Sequence, residues 1–184
     1  MKDSKNLCKN NNQNKLDSPL HHIFKPIIYA ESKILILGSF PSIASRQQGF
    51  YYAHPRNRFW QVLGKLFNEE LKDKSREAKI TFLRTHRIAL YDICVECQIT
   101  NSSDSSLKPI TIAPLKDLIQ NTQIQHLFTN GAKATQIYQK AFKDSKAISF
   151  LPHTALPSTS PANAKWNLER LCQEWSKILI PLRN

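Results

Sequence analysis

Four short apolar runs recur along this chain, and each leads toward a stretch with helical spacing. The runs are residues 33–37 (KILIL), 88–93 (IALYDI), 126–130 (HLFTN) and 147–151 (AISFL). Each is rich in Ile, Leu or Phe, the composition of strands covered on both faces. Helical spacing is clearest over 57–67, where Phe59, Trp60, Leu63, Leu66 and Phe67 fall on one side. It is equally clear over 132–142, where Ala134, Ile137, Tyr138 and Ala141 recur at i, i+3, i+4 and i+7. Weaker patterns predict helices over 75–85 and over 114–120, the latter with Pro114 suited to a first turn. A last helix is predicted over 161–180, with Leu168, Leu171, Cys172, Trp175 and Ile178 inward. Strand alternating with helix implies an α/β domain whose parallel sheet lies between helical layers. Ligands of such sheets sit beyond the carboxyl ends of the strands. The loops that matter are therefore 38–57, 92–109, 130–131 and 152–163.

Charge narrows the choice of ligand. Lys and Arg number 26 against 14 Asp and Glu, a net charge of +12 over 184 residues. That balance suits a polyanion such as nucleic acid, although a basic surface with no partner gives the same count. Residues 1–20 are polar and rich in Asn and Lys and read as a disordered tail, leaving 21–184 as a single domain. Residues 1–20 hold no apolar signal-peptide core, and no run approaches the ~18 apolar residues of a membrane span, so a cytoplasmic location is expected. The cysteines are Cys8, Cys94, Cys97 and Cys172. The lone CxxC at Cys94 and Cys97 has no second pair to complete four ligands. All four read as reduced thiols, with no metal and no cofactor expected.

The chemistry concentrates in residues 38–60, GSFPSIASRQQGFYYAHPRNRFW. A small-residue loop leaves the first strand, and two Tyr, a His, an Asn and three Arg precede the first core helix. Such a set can hold a flat polar ring beside a phosphate backbone. GSFPS after that strand, YYAHPRNRFW before the helix and LPSTSPAN before the last helix together resemble the uracil-DNA glycosylase superfamily. The match is nearest to its hypoxanthine-DNA glycosylase branch, and the AHPxNRFW part is shared with mismatch-specific uracil-DNA glycosylases. The resemblance runs over roughly residues 25 to 180. It implies a three-layer α/β/α sandwich with a four-stranded parallel sheet, monomeric by default. It also implies an enzyme that flips a deaminated base out of DNA and hydrolyses its N-glycosidic bond. Some branches carry an iron–sulfur cluster, which the cysteine count here opposes.

Two places depart from most of the superfamily. Phe40 stands where Asp or Asn usually positions the attacking water, and Leu156 where a His usually steadies the leaving base. The resemblance to the hypoxanthine branch makes Asn57 the substitute amide. Asn57 before a helix is also a favoured N-cap, and both readings stand at this stage. Gly38, Ser39, Phe40, Pro41 and Ser42 form the loop expected to approach the base, with backbone N–H groups as donors. Tyr52 occupies the place of an aromatic that stacks on the flipped base. His54 could brace the loop or meet a phosphate, and Asn130 could read a base edge or simply make an Asn-Gly turn. Ser45, Arg46, Arg56 and Arg58 are candidate DNA contacts. So are Ser158, Thr159, Ser160, Asn163 and Lys165, with Ser160-Pro161 read as the start of the last helix. Asp92 and Asp104 are the nearest carboxylates in order. The expected activity is removal of hypoxanthine, with uracil or xanthine as further bases, leaving an abasic site without strand cleavage. The alternatives are a mismatch-specific uracil-DNA glycosylase and a catalytically inactive DNA-binding module of the same fold.

Overall fold

The computed structural model describes residues 18–99, 106–142 and 151–183. The expected tail lies outside these residues up to position 17. So do Cys8, Asp104 and most of the predicted strand 147–151. The chain opens with β1 (Leu20–His21), then β2 (Ile34–Gly38), α1 (Ile43–Gln48), α2 (Phe59–Phe67) and α3 (Arg76–Thr85). It continues with β3 (Ile88–Asp92), β4 (Cys94–Gln98), β5 (Lys108–Ile112), α4 (Leu115–Ile119), β6 (His126–Asn130) and α5 (Ala132–Phe142). β7 (His153–Leu156) and α6 (Leu168–Trp175) follow, then a 3-10 turn at Ser176–Leu179 and α7 (Ile180–Arg183).

β3, β2, β6 and β7 form the central sheet in that order, every pairing parallel. All five residues of β2 and of β3 are buried, because helices cover both faces and leave no solvent side to mark with polar residues. The sheet is therefore the expected four-stranded parallel one, with one correction. The fourth strand is His153–Leu156, where the chain pairs Leu127 with His153 and Asn130 with Leu156. Of the predicted run 147–151 only Leu151 is described, and it precedes the strand.

A second sheet was not expected. β1, β4 and β5 make an antiparallel three-stranded ribbon. It grows directly from β3: Ile93 and Cys94 donate to the carbonyls of Gly38 and Ser39 at 2.9 and 3.0 Å, so the chain keeps pairing as it turns away. Leu20, expected in the tail, pairs with Cys97. Cys94 and Cys97 are both buried in this ribbon, and burial pushes the Cys94 thiol up to about 12, far from a reactive thiolate.

Two helix boundaries also move. α2 starts at Phe59 with Phe59, Trp60, Val62 and Leu63 buried, and packs on α6 through Phe59 and Trp175, whose rings meet edge-on at 5.7 Å. The last helix begins at Leu168 under an N-cap from Asn167, whose side chain accepts from Arg170 N. The expected start at Ser160-Pro161 is overturned: residues 157–166 stay irregular, because their carbonyls are engaged elsewhere in the protein. Among the described residues, no helix is long and apolar enough to cross a membrane.

Candidate active site

The carboxyl ends of β2, β3, β6 and β7 open into one cavity of about 1160 Å³. Its walls come from the loop and helix after β2, the loop 51–57, the ends of β3 and β6, and the loop after β7. Ser18 and Leu20 of the N-terminal arm close one side. Most of the residues singled out in the sequence meet here: Gly38, Ser39, Phe40, Pro41, Ser42, Ser45, Arg46, Tyr52, His54, Asn57, Asn130, Ser158, Thr159 and Ser160. Arg56, Arg58, Asn163 and Lys165 do not line it.

The floor is built around Gly38. A Cβ there would collide with Asp92 Oδ1 and stand 2.9 Å from the Tyr52 hydroxyl, so only glycine lets these two groups close over the strand end. Asp92 is 3 % exposed, and its Oδ2 accepts from His22 Nε2 at 2.9 Å. Oδ1 lies against Gly38, and Asp92 is among the residues that line the cavity. Burial raises the Asp92 carboxyl above the usual range, and the hydrogen bond and charge of His22 pull it back part of the way. His22 is itself packed edge-on against Phe40 at 5.9 Å and lies 4.9 Å from the Tyr91 ring. Phe40, which cannot position water, thus fixes the residue that holds Asp92. The sequence offered Asp92 only as one of the nearest carboxylates and did not single out His22. The two lie 70 residues apart, and no local pattern joins them.

Tyr52 adopts a left-handed backbone, φ 53°, unusual for a bulky residue and common where a site fixes its side chain. Its ring stacks on Phe59 at 4.0 Å, so one face is taken within the protein. Its hydroxyl is enclosed and meets no hydrogen-bond partner within bonding distance, although the Asn130 amide lies near enough to lower its pKa slightly against the larger upward effects. Burial, then the charge of Asp92, pushes the phenol well above its ordinary value, so it stays a neutral donor.

Asn57 does both things its position suggests. Its Oδ1 accepts from Phe59 N at 3.0 Å, closing the first turn of α2. Its side chain also lines the cavity, and its amide nitrogen makes no hydrogen bond among the described residues. His54 Nδ1 accepts from Arg56 N at 3.0 Å, and His54 O accepts from Asn57 N, so His54 shapes the turn that presents Asn57. Arg46 extends over Phe40 and its buried Nε has no partner, a donor suited to an anion.

Asn130 and Arg58 are put to structural use. Asn130 accepts from Thr159 N and donates to Thr159 Oγ1, both at 3.0 Å, pinning the last loop to the end of β6. Gly131 follows at φ 95°, where a Cβ would lie 2.7 Å from that of Ser158. Arg58 donates to the carbonyls of Thr159, Ser160, Asn163 and Trp166. The expected phosphate contact is thus replaced by a four-carbonyl staple. Asn163 adds a bond to Ser158 O at 2.9 Å. Arg58→Met should cost about 2–3 kcal/mol in urea denaturation, from charge-assisted bonds to carbonyls left without a donor. Arg58→Lys should recover little, because one ammonium cannot span four acceptors.

Comparison with known proteins fits this geometry. The profile of the Uracil DNA glycosylase superfamily matches residues 26–182. The chain belongs to that superfamily. It is a DNA glycosylase by fold and by sequence. A hypoxanthine DNA glycosylase of Methanosarcina acetivorans is 30 % identical over 158 residues, covering 84 % of this chain and 95 % of the relative. A second, from Methanosarcina barkeri, is 32 % identical over 114 residues, covering 60 % and 71 %. The solution NMR structure of a candidate uracil DNA glycosylase from M. acetivorans superposes with a TM-score of 0.76 at 28 % identity, over 89 % of this chain and 99 % of that one.

Proposed function

We propose that this glycosylase excises hypoxanthine from DNA, with uracil and xanthine as further substrates, by hydrolysis that leaves an abasic site. The observation that carries the proposal is the floor of the cavity. Asp92 Oδ1 is an acceptor and the unpartnered Tyr52 hydroxyl a donor, side by side at Gly38. Deamination turns an amino-aza edge into a lactam edge, N–H beside C=O. Hypoxanthine, uracil and xanthine all present that edge, and adenine presents the reverse. A floor with a carboxylate acceptor beside a hydroxyl takes the lactam and sets the adenine N1 lone pair against the Asp92 carboxylate, since only the hydroxyl can reverse its role. Guanine shares the lactam but carries an extra amino group and a stronger pair with cytosine, so it costs more to extrude. The names of the two Methanosarcina relatives support hypoxanthine as the first base.

Glycosidic cleavage passes through an oxocarbenium-like state, with negative charge growing on the leaving base. The Tyr52 hydroxyl donates to the base oxygen as that charge develops. Asn57 holds water beside the anomeric carbon, its amide nitrogen aligning the water while Oδ1 is anchored on α2. Arg46 Nε meets a flanking phosphate. No lysine lines the cavity among the described residues, which supports hydrolysis without a Schiff base or strand scission. Single-turnover reactions on duplexes holding deoxyinosine, deoxyuridine or deoxyxanthosine test the proposal. Cleavable abasic sites should appear fastest with deoxyinosine. Uracil alone being cut would make this a mismatch-type uracil enzyme, and DNA bound but uncut would make it an inactive module.

Extruding a nucleotide leaves a gap in the stack that an apolar side chain can fill. Ser160 is too small and polar. Ile43, 43 % exposed, is the one exposed large apolar side chain lining the cavity among the described residues. Ile43→Ser should slow excision from duplex DNA about tenfold and leave single-stranded deoxyinosine DNA unaffected, because no stack needs filling there. Equal losses on both substrates would remove Ile43 from this role.

A further inference from the structure

A second cavity of about 430 Å³ adjoins the first and shares Tyr52, His54 and Asn57 with it. Its other walls are Phe50, Trp60 and three cations, Lys72, Arg76 and Lys79. Phe50 and Trp60 are buried and stacked at 5.7 Å with 10° between planes. The Arg76 guanidinium lies 5.5 Å from the Phe50 ring and the Lys79 ammonium 5.4 Å from the Trp60 ring. Lys79 is further fixed by donating to Lys72 O at 2.9 Å. Against the three cations stands one carboxylate, Asp73. None of the three makes an ion pair among the described residues.

Cations held over aromatic faces have already lost part of the side-chain freedom that binding would take. They lie in a groove that starts where Asn57 meets the sugar of the extruded nucleotide. We infer that this groove is a phosphodiester track that grips the DNA strand on one side of the lesion. The inference rests on the reading of the first cavity as the site of the flipped nucleotide. It adds a contact surface that reaches from Gln48 and loop 52–57 to the start of α3, away from the loop 157–166 that frames the other side of the main cavity.

The test uses duplexes with a central tetrahydrofuran abasic analogue, which bind without being cut. Affinity is measured from low to moderate salt for the native protein, for Lys72→Ala/Arg76→Ala, and for Lys116→Ala/Lys140→Ala, an equal charge change on exposed positions of α4 and α5. Each lost phosphate contact lowers the slope of log K against log salt by about 0.9. The groove pair should flatten the slope by about 2 and the control pair should leave it unchanged. Trimming the duplex on one side of the lesion should erase the difference between native protein and groove pair, and trimming the other side should not. Equal slopes for the two pairs, or a difference indifferent to which side is trimmed, would overturn the track. Failure to excise deoxyinosine would sink the proposed activity while leaving these binding slopes readable.

Discussion

Asn57→Ala should excise hypoxanthine about 10²–10³ times more slowly than the native protein while still binding abasic-analogue DNA. The magnitude is that of removing one group that positions a reactant or stabilises developing charge. The residue has a second duty, because its Oδ1 caps the first turn of α2 through Phe59 N. Losing that bond should cost about 1 kcal/mol in stability, a small effect beside the loss of rate. Asn57→Asp separates the two duties. A carboxylate still accepts from Phe59 N, so the fold is kept. It lacks the amide N–H that aligns the water, so single-turnover excision should fall well below native. A folded Asn57→Ala protein that cleaves at the native rate would reduce this side chain to a helix cap.

How much of this was legible beforehand depends on where each interaction closes. β2 and β3 were readable because both faces are covered and their residues are almost wholly apolar, and β6 because Leu127 and Phe128 sit at its centre. β7 was placed too early because His153–Leu156 is an edge strand with a single fully buried residue, while the apolar letters lie just before it. β4 and β5 carry mixed, half-exposed residues and Pro109, so no period marks them as strands. α1 has no apolar face. It is held by Ser42, whose side chain accepts from Ser45 N, and by Gly49 at φ 69°. In the site, the loops and Asn57 could be found because their residue types cluster in sequence. Arg58 and Asn130 could not be assigned their work, because their partners, mostly backbone groups, lie about 30 to 110 residues away. Backbone carbonyls have no residue type and leave no mark in a sequence. His22 is the sharpest case, a residue at the edge of an apparent tail that turns out to hold the cavity's carboxylate.

That carboxylate gives the second large expected effect. Asp92→Asn should lower hypoxanthine excision by about 10²-fold or more, although the side chain keeps its size. His22 Nε2 donates to Asp92 Oδ2, so the amide must offer its one oxygen to His22 and turn its NH2 toward the base. The base N–H then meets a donor, and the pairing that selects the lactam is lost. The pH behaviour has two opposite signs. The groups around Asp92 are His22 from the arm, Tyr51 and Tyr52 from the loop, and Tyr91 on the same strand. All three phenols are pushed upward by burial, so they stay neutral and do not titrate in the acid range. Burial raises the Asp92 carboxyl, so excision should fall on acidification at a pH above that of an ordinary carboxylate, as Oδ1 ceases to be a free acceptor. Stability runs the other way. A carboxyl with a raised value in the folded state binds its proton more tightly there. Its stabilising contribution is full below the unfolded value and is lost as pH rises through the folded one. Across that window native stability should fall as activity rises, and Asp92→Asn should flatten both curves. His22→Gln keeps a donor but removes the imidazole, so an acid limb that persists in it belongs to Asp92. Urea denaturation and single-turnover rates at matched pH values measure the two trends. A native enzyme that gains stability and activity together over that range would mean that Asp92 is not the group that couples the fold to the base.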